Sequence, residues 1–133
     1  MFFKLTFFQN LESGEIRIKV SNLDEQRGTI HYGLYDNAEF FLNEEGKVLG
    51  GYENVSKVLN EGLTIKNLDE SIYAIAIYHD RNSNNKFDKI FSIPVEKFGF
   101  SKNAKIFLGP PKFDDASFFL GENDQIEMMI ELK

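Results

Sequence analysis

The sequence predicts an all-β chain, a single antiparallel β-sandwich of about seven short strands with a long ordered irregular segment at 80–115. Three observations carry this. Apolar and polar residues alternate with period two in several short runs, and turn residues separate the runs. Beyond one candidate turn, no segment shows the 3.6-residue apolar repeat of a helix. The 133 residues are 42% hydrophobic, enough for one packed core, and no linker, repeat or low-complexity tract divides them. Residues 1–133 are therefore one domain, with 1–13 an N-terminal arm or the remnant of an export signal.

The elements follow in order. Met1-Phe2-Phe3-Lys4-Leu5-Thr6-Phe7-Phe8 is greasy but short. It lacks the basic start, long apolar stretch and small-residue cleavage site of a complete signal, which leaves both readings of 1–13 open. In 15–21, Ile16, Ile18 and Val20 share one face and Glu15, Arg17 and Lys19 the other. In 28–35, Ile30, Tyr32 and Leu34 share a face. Asp36 or Asn37 can cap one helical turn through Phe41. A strand near 47–58 is weakly patterned. Leu63 and Ile65 alternate with Thr64 and Lys66, and 71–79 is apolar on both faces, the mark of a central strand covered on both sides. Ala116, Phe118 and Leu120 share a face, and 125–132 alternates Ile126, Met128, Ile130 and Leu132 with Glu127 and Glu131.

The segment from Asp80 to Asp115 breaks the pattern. It carries Phe87, Phe91, Phe98, Phe100, Phe107 and Phe113. Leaving a phenylalanine in water forgoes roughly 1.5–3 kcal/mol, so all six are expected to pack over one open end of the sandwich, around a short strand at 104–108. Gly109-Pro110-Pro111 then makes a stiff turn.

Composition excludes several functions. A net charge of −6 argues against nucleic acid and against anionic membrane surfaces. No cysteine is present, so disulfides, thiolate nucleophiles and Cys-ligated zinc are ruled out. No apolar run approaches the ~20 residues of a membrane span. His31 and His79 are the only histidines.

The most informative stretch is His79-Asp80-Arg81-Asn82-Ser83-Asn84-Asn85-Lys86-Phe87-Asp88. Asp80, Asn82, Asn84 and Asp88 stand at positions 1, 3, 5 and 9 of an oxygen-ligand calcium loop, and Lys86 at position 7 can offer its carbonyl. Only two of these residues are anionic, and Phe91 stands where an EF-hand has glutamate. A calcium site here is therefore weak, in the range of ~10⁻⁴–10⁻³ M. The same residues also suit a polar turn in which Asp and Asn bond their own backbone. His79 and His31 read best as hydrogen-bonded structural residues. Asp114-Asp115 and Glu44-Glu45 read as solvated turn residues, and Gly50-Gly51 lacks the lysine and helix of a phosphate cradle. Tyr35, Tyr52 and Tyr78 are the candidates for a sugar-stacking surface, since no tryptophan is present.

An ordered series of motifs carries a family resemblance: Leu68-x-x-Ser71-x-Tyr73-Ala74, then His79-Asp80-x-Asn82-x-Asn84-x-x-x-Asp88, then Gly99-Phe100-Ser101-x-Asn103-Ala104, then Gly109-Pro110-Pro111-x-Phe113-x-x-Ala116-x-Phe118. Over roughly residues 14–132 the chain resembles the bacterial domain-of-unknown-function family numbered 2141. The resemblance implies an immunoglobulin-like or transthyretin-like sandwich, akin to carboxypeptidase-regulatory-like domains and exported to the periplasm or cell surface. It implies no established activity. Two positions depart from the family, which favours Gly where this chain has Ser71 and Asn85.

The expected function is a non-enzymatic exported binding or accessory module of the cell envelope with a weak structural calcium loop. Its partner is an unidentified protein or envelope component. One competing reading is a metal-free interaction module using the Phe-rich 90–113 segment. The other is a hydrolase built on Asp80, His79 and Asp114.

Overall fold

The computed structural model describes residues 13–85, 89–90, 93–94 and 96–133. The N-terminal arm through residue 12 and the calcium-loop positions Lys86 and Asp88 lie outside the described residues, as do Phe87 and Phe91. Strand β1 (Gly14–Ser21) buries Ile16 and Ile18 and turns Arg17 and Lys19 outward, as its alternation dictates. Strand β2 (Thr29–Tyr35) leads to a 3₁₀ turn at Ala38–Phe40, where the Asn37 side chain accepts a bond from the Glu39 N–H. A second such turn, Glu44–Gly46, is capped in the same way by Asn43. Then follow β3 (Leu49–Asn54), helix α1 (Val55–Glu61), β4 (Leu63–Leu68) and β5 (Ser71–Asp80). Two-residue strands β6 (Lys89–Ile90) and β7 (Ile93–Pro94) pair with each other. Strand β8 (Phe98–Phe100), the one-turn helix α2 (Phe113–Ala116), β9 (Phe118–Leu120) and β10 (Gln125–Glu131) complete the order.

The strands form two main sheets, β10-β1-β4 and β3-β2-β5-β8, with β9 also on β5. Their inner faces enclose the main core, including Ile16, Ile18, Ile30, Leu34, Ile65, Ile75, Ile77, Leu120 and Ile130. The chain is an all-β, sandwich-like fold. Among the described strands the pairing is antiparallel except that β10 runs parallel to β1, from Glu15 opposite Gln125 to Ser21 opposite Glu131. That departs from a purely antiparallel sandwich. Period-two alternation reads which face is buried but not which direction a neighbour runs.

Strand β5 is central, as its two apolar faces require. Tyr73, Ile75 and Ile77 enter the main core, while Ala74 and Ala76 face a second cluster with Phe100 and Ala116. Phe41, Phe98 and Phe113 cover that cluster. The Tyr73 hydroxyl donates to the Asp69 carbonyl at 2.7 Å, pinning the entry to β5 four residues upstream. Burial, with Asp69 and Asp36 nearby, raises its pKa, so the phenol stays a donor.

One edge of β5 is shared by two short strands. β9 covers 71–73 and β8 covers 76–78. Between them the Ser101 side chain takes the place of a strand: its Oγ accepts from the Ile75 N–H at 2.9 Å and donates to the Ala116 carbonyl at 2.5 Å. β8 also closes one side of the sandwich, since Phe98 and Lys133 exchange backbone bonds at 3.1 and 2.9 Å. The Asn103 side chain adds a bond to the Glu131 N–H. Gly99 permits this approach, because a Cβ there would stand 2.6 Å from the Glu131 carbonyl oxygen.

Four expectations need correction. Helix α1 stands where part of a 47–58 strand was expected; it buries only Val55 and Val58, too few to display a helical period, and ends at Gly62 with φ +74°. The extra strand of the irregular segment lies at 98–100 and not 104–108, because β8 and β9 already occupy the free edge of β5. Phe107 is 81% exposed and packs over nothing, unlike Phe98, Phe100 and Phe113. Regular strand pairs also interrupt the segment described as irregular.

A tyrosine-rimmed groove beside the acidic loop

On the outer face of β3, β2 and β5, strand register sets Tyr52 opposite His31 and His31 opposite Tyr78. The three rings form a row. His31 stacks on Tyr78 with centroids 4.9 Å apart and planes 12° from parallel, and meets Tyr52 in a tilted contact at 5.2 Å and 31°. Two residues along, the same face carries Gly50, Gly33 and Ala76 in register, a row almost without side chains. The floor is therefore low where the neighbouring row is tall. Lys47 lies over it: a Cβ on Gly33 would come within 3.0 Å of its chain and one on Gly50 within 2.9 Å of its Nζ. Its ammonium pairs with Glu44 at 2.5 Å. His31, Tyr52, Tyr78, Gly50, Lys47 and Glu44, together with Tyr32, Tyr35, Gly51 and Asn85, line a groove of about 410 Å³. Burial, and Glu44 after it, raises the Tyr35 pKa, so that hydroxyl remains protonated near neutrality.

The acidic loop braces this row from the end of β5. Asp80 is fully buried at the end of β5. Its Oδ1 accepts from the Asn84 N–H at 3.2 Å, and its Oδ2 accepts from the Asn85 N–H at 2.7 Å and contacts His31 Nε2 at 3.2 Å. The Asn82 side chain accepts from the Asn84 N–H. Asn85 has φ +63°, the left-handed conformation that Asn tolerates best after Gly, so the departure from the family pattern keeps the bend. On the other side of the strand end, buried Glu96 accepts from the Arg81 N–H at 2.9 Å.

Of the predicted calcium positions, the structure brings Asp80 and Asn82 together on one backbone N–H. Lys86 and Asp88 lie outside the described residues. Among the described residues no group of three or more His, Asp or Glu side chains forms a metal centre. The hydrolase residues are not assembled. His79 leaves β5 on the face opposite Asp80, with Nε2 at 2.8 Å from the Arg27 carbonyl, and Asp114 sits exposed on α2. The structure assembles the three tyrosines instead. Sequence reading missed His31, Lys47, Gly33 and Gly50 as parts of one surface. The signal available was a pair of glycines inside strands, which marks close approach of another group.

His31 is held neutral. Burial lowers its pKa, and Asp80 offsets this only in part while Lys47 adds to the lowering. Its contact with Asp80 is thus a hydrogen bond from an uncharged ring to a carboxylate. The sign of the pH effect follows. The unfolded chain binds the His31 proton first, so this stability is intact above the ordinary histidine pKa of about 6.5 and drains away as pH falls through it toward the lower folded value. Melting midpoints between pH 7.5 and 5 should fall less steeply for His31→Gln than for the wild type; parallel slopes would assign the effect to other groups.

No curated protein and no solved structure matches the chain. One family model does, over residues 18–127, and its description is an uncharacterized protein conserved in bacteria. The motifs that suggested the family fall at constructed points: Tyr73 pins β5, Asp80 braces the loop, Gly99 admits the seam and Ser101 bridges two strands. The chain belongs to the bacterial domain-of-unknown-function family 2141.

Proposed function

We propose that this is a non-enzymatic binding module of the bacterial cell envelope that seats a saccharide on Tyr52 and in the adjoining groove. One observation carries the reading: a row of three adjoining rings ends in a tyrosine 65% exposed, beside a low floor that holds an ammonium and a carboxylate. An exposed tyrosine gives a flat apolar face at small entropic cost, and a few fixed polar groups beside it give orientation. Lys47, Glu44 and Asn85 match the hydroxyls of a sugar. The envelope location rests on the family resemblance.

A binding role suits the histidine better than catalysis does. A relay needs nucleophile and carboxylate on opposite ring nitrogens. Here Thr29 Oγ1, at 3.1 Å, and Asp80 both meet Nε2. Calcium has one place in this reading, as an added closure of the loop by Asp80, Asn82, Asn84, the Lys86 carbonyl and Asp88.

Affinity electrophoresis through gels containing soluble bacterial and plant polysaccharides tests the reading. At least one polysaccharide should retard the wild type and come out of the run uncleaved. Tyr52→Ala should weaken that retardation about tenfold, equivalent to ~1.4 kcal/mol, with the melting midpoint unchanged. Equal mobility of the two proteins in every gel would remove the groove as a sugar seat.

A further inference from the structure

The chain's net charge of −6 conceals a basic, apolar tip. The segment from Lys102 to Lys112 contains Lys102, Lys105 and Lys112 and no Asp or Glu. All three lysines are exposed, and none has an ion pair among the described residues. At its apex Phe107 is 81% and Leu108 95% exposed, with Ile106 at 39%. The apex is shaped rather than slack. Leu108 takes φ +58°, Gly109 takes φ +138°, and the Phe107 N–H bonds the Gly109 carbonyl at 3.1 Å. A leucine rarely adopts a left-handed backbone, and here that conformation drives two adjacent large apolar side chains outward. Pro111 is buried and fixes the return.

We infer that this tip docks on an anionic lipid surface, with Phe107 and Leu108 entering the interface and the lysines meeting the headgroups. Few apolar side chains combined with basic residues is the two-signal arrangement that gives reversible membrane attachment. The shape agrees. A narrow convex tip suits a deformable interface, whereas a protein partner needs a matching cavity and on the order of 1,000 Å² of contact. A two-fold pairing of tips would set lysine against lysine. The nearest acids do not cancel the charge at the apex. Asp115 turns back to accept from the Lys112 N–H at 3.2 Å, Asp114 sits in the first turn of α2, and Glu131 lines the trough at the root of the tip with Lys133.

Sedimentation with vesicles tests this. Vesicles of phosphatidylcholine mixed with phosphatidylglycerol should carry the protein down, vesicles of phosphatidylcholine alone should carry far less, and raised salt should release it. The double variant Phe107→Ser, Leu108→Ser and the double variant Lys105→Glu, Lys112→Glu should each lose at least about tenfold in partitioning while keeping the wild-type melting midpoint. No sedimentation with anionic vesicles, or equal sedimentation of wild type and variants, overturns the inference. So does a concentration-dependent dimer that the Phe107/Leu108 variant abolishes and vesicles do not affect, since the tip would then serve a second copy of the chain.

Discussion

Asp80→Ala should lower the stability of the fold by about 2–4 kcal/mol, the cost of taking a buried acceptor away from three neutral donors. The carboxylate is fully buried and serves two backbone N–H groups and the His31 ring at once. Its loss takes the acceptor from the Asn85 N–H, at ~1–3 kcal/mol, while the Asn84 N–H falls back on Asn82 and the His31 ring on Thr29. A fall of roughly 10 °C or more in melting midpoint is expected for a domain of this size. The ring row should loosen with it, since His31 loses its brace between Tyr52 and Tyr78. Urea denaturation gives the stability and near-ultraviolet circular dichroism the tyrosine packing; a loss below about 1 kcal/mol would show that water replaces the carboxylate. The same variant tests calcium. If the ion closes the loop, millimolar calcium should raise the wild-type midpoint and leave the variant's where it is, because a ligand of the folded state must stabilise it. Without a rise in the wild type, closure belongs to the Asx bonds alone.

Gly99→Ala should cost about 2–4 kcal/mol, from overpacking and from the loss of seam bonds. The added methyl group would meet the Glu131 carbonyl oxygen at 2.6 Å and Ile130 Cγ2 at 2.9 Å. The first of these is backbone and cannot rotate away. The strands must part, and the paired bonds between Phe98 and Lys133 part with them. Hydrogen exchange should find the Phe98 and Lys133 amides opening far more often, while those of β2, remote from the seam, change only with global stability. Uniform acceleration throughout the chain would mean that the seam is not a separate unit.

Much of the architecture was legible in the residues. The strands with five or more alternating positions declared themselves, because a sheet with one wet face writes its burial into every second residue. Asn37 declared the 3₁₀ turn through its capping side chain. What stayed hidden was whatever depends on two or three residues: β8, helix α1, and the use of Ser101 as a strand substitute. The site was half visible. Tyr35, Tyr52 and Tyr78 were each identifiable, and Asp80 was conspicuous, but nothing in one dimension joins them. Register does so, by setting His31 between two tyrosines from different strands and two glycines side by side beneath Lys47.

The parallel pairing of β1 with β10 has a consequence in time. Glu15 and Gln125 meet across about 110 residues of intervening chain. The middle strand of the smaller sheet therefore has only β4 for a neighbour until the last strand arrives. Loops of that length close late, and folds dominated by such pairings form in milliseconds to seconds, far slower than helical bundles. A nascent chain of this kind cannot complete its smaller sheet until β10 has been made, so the last residues synthesised are the ones that close the core.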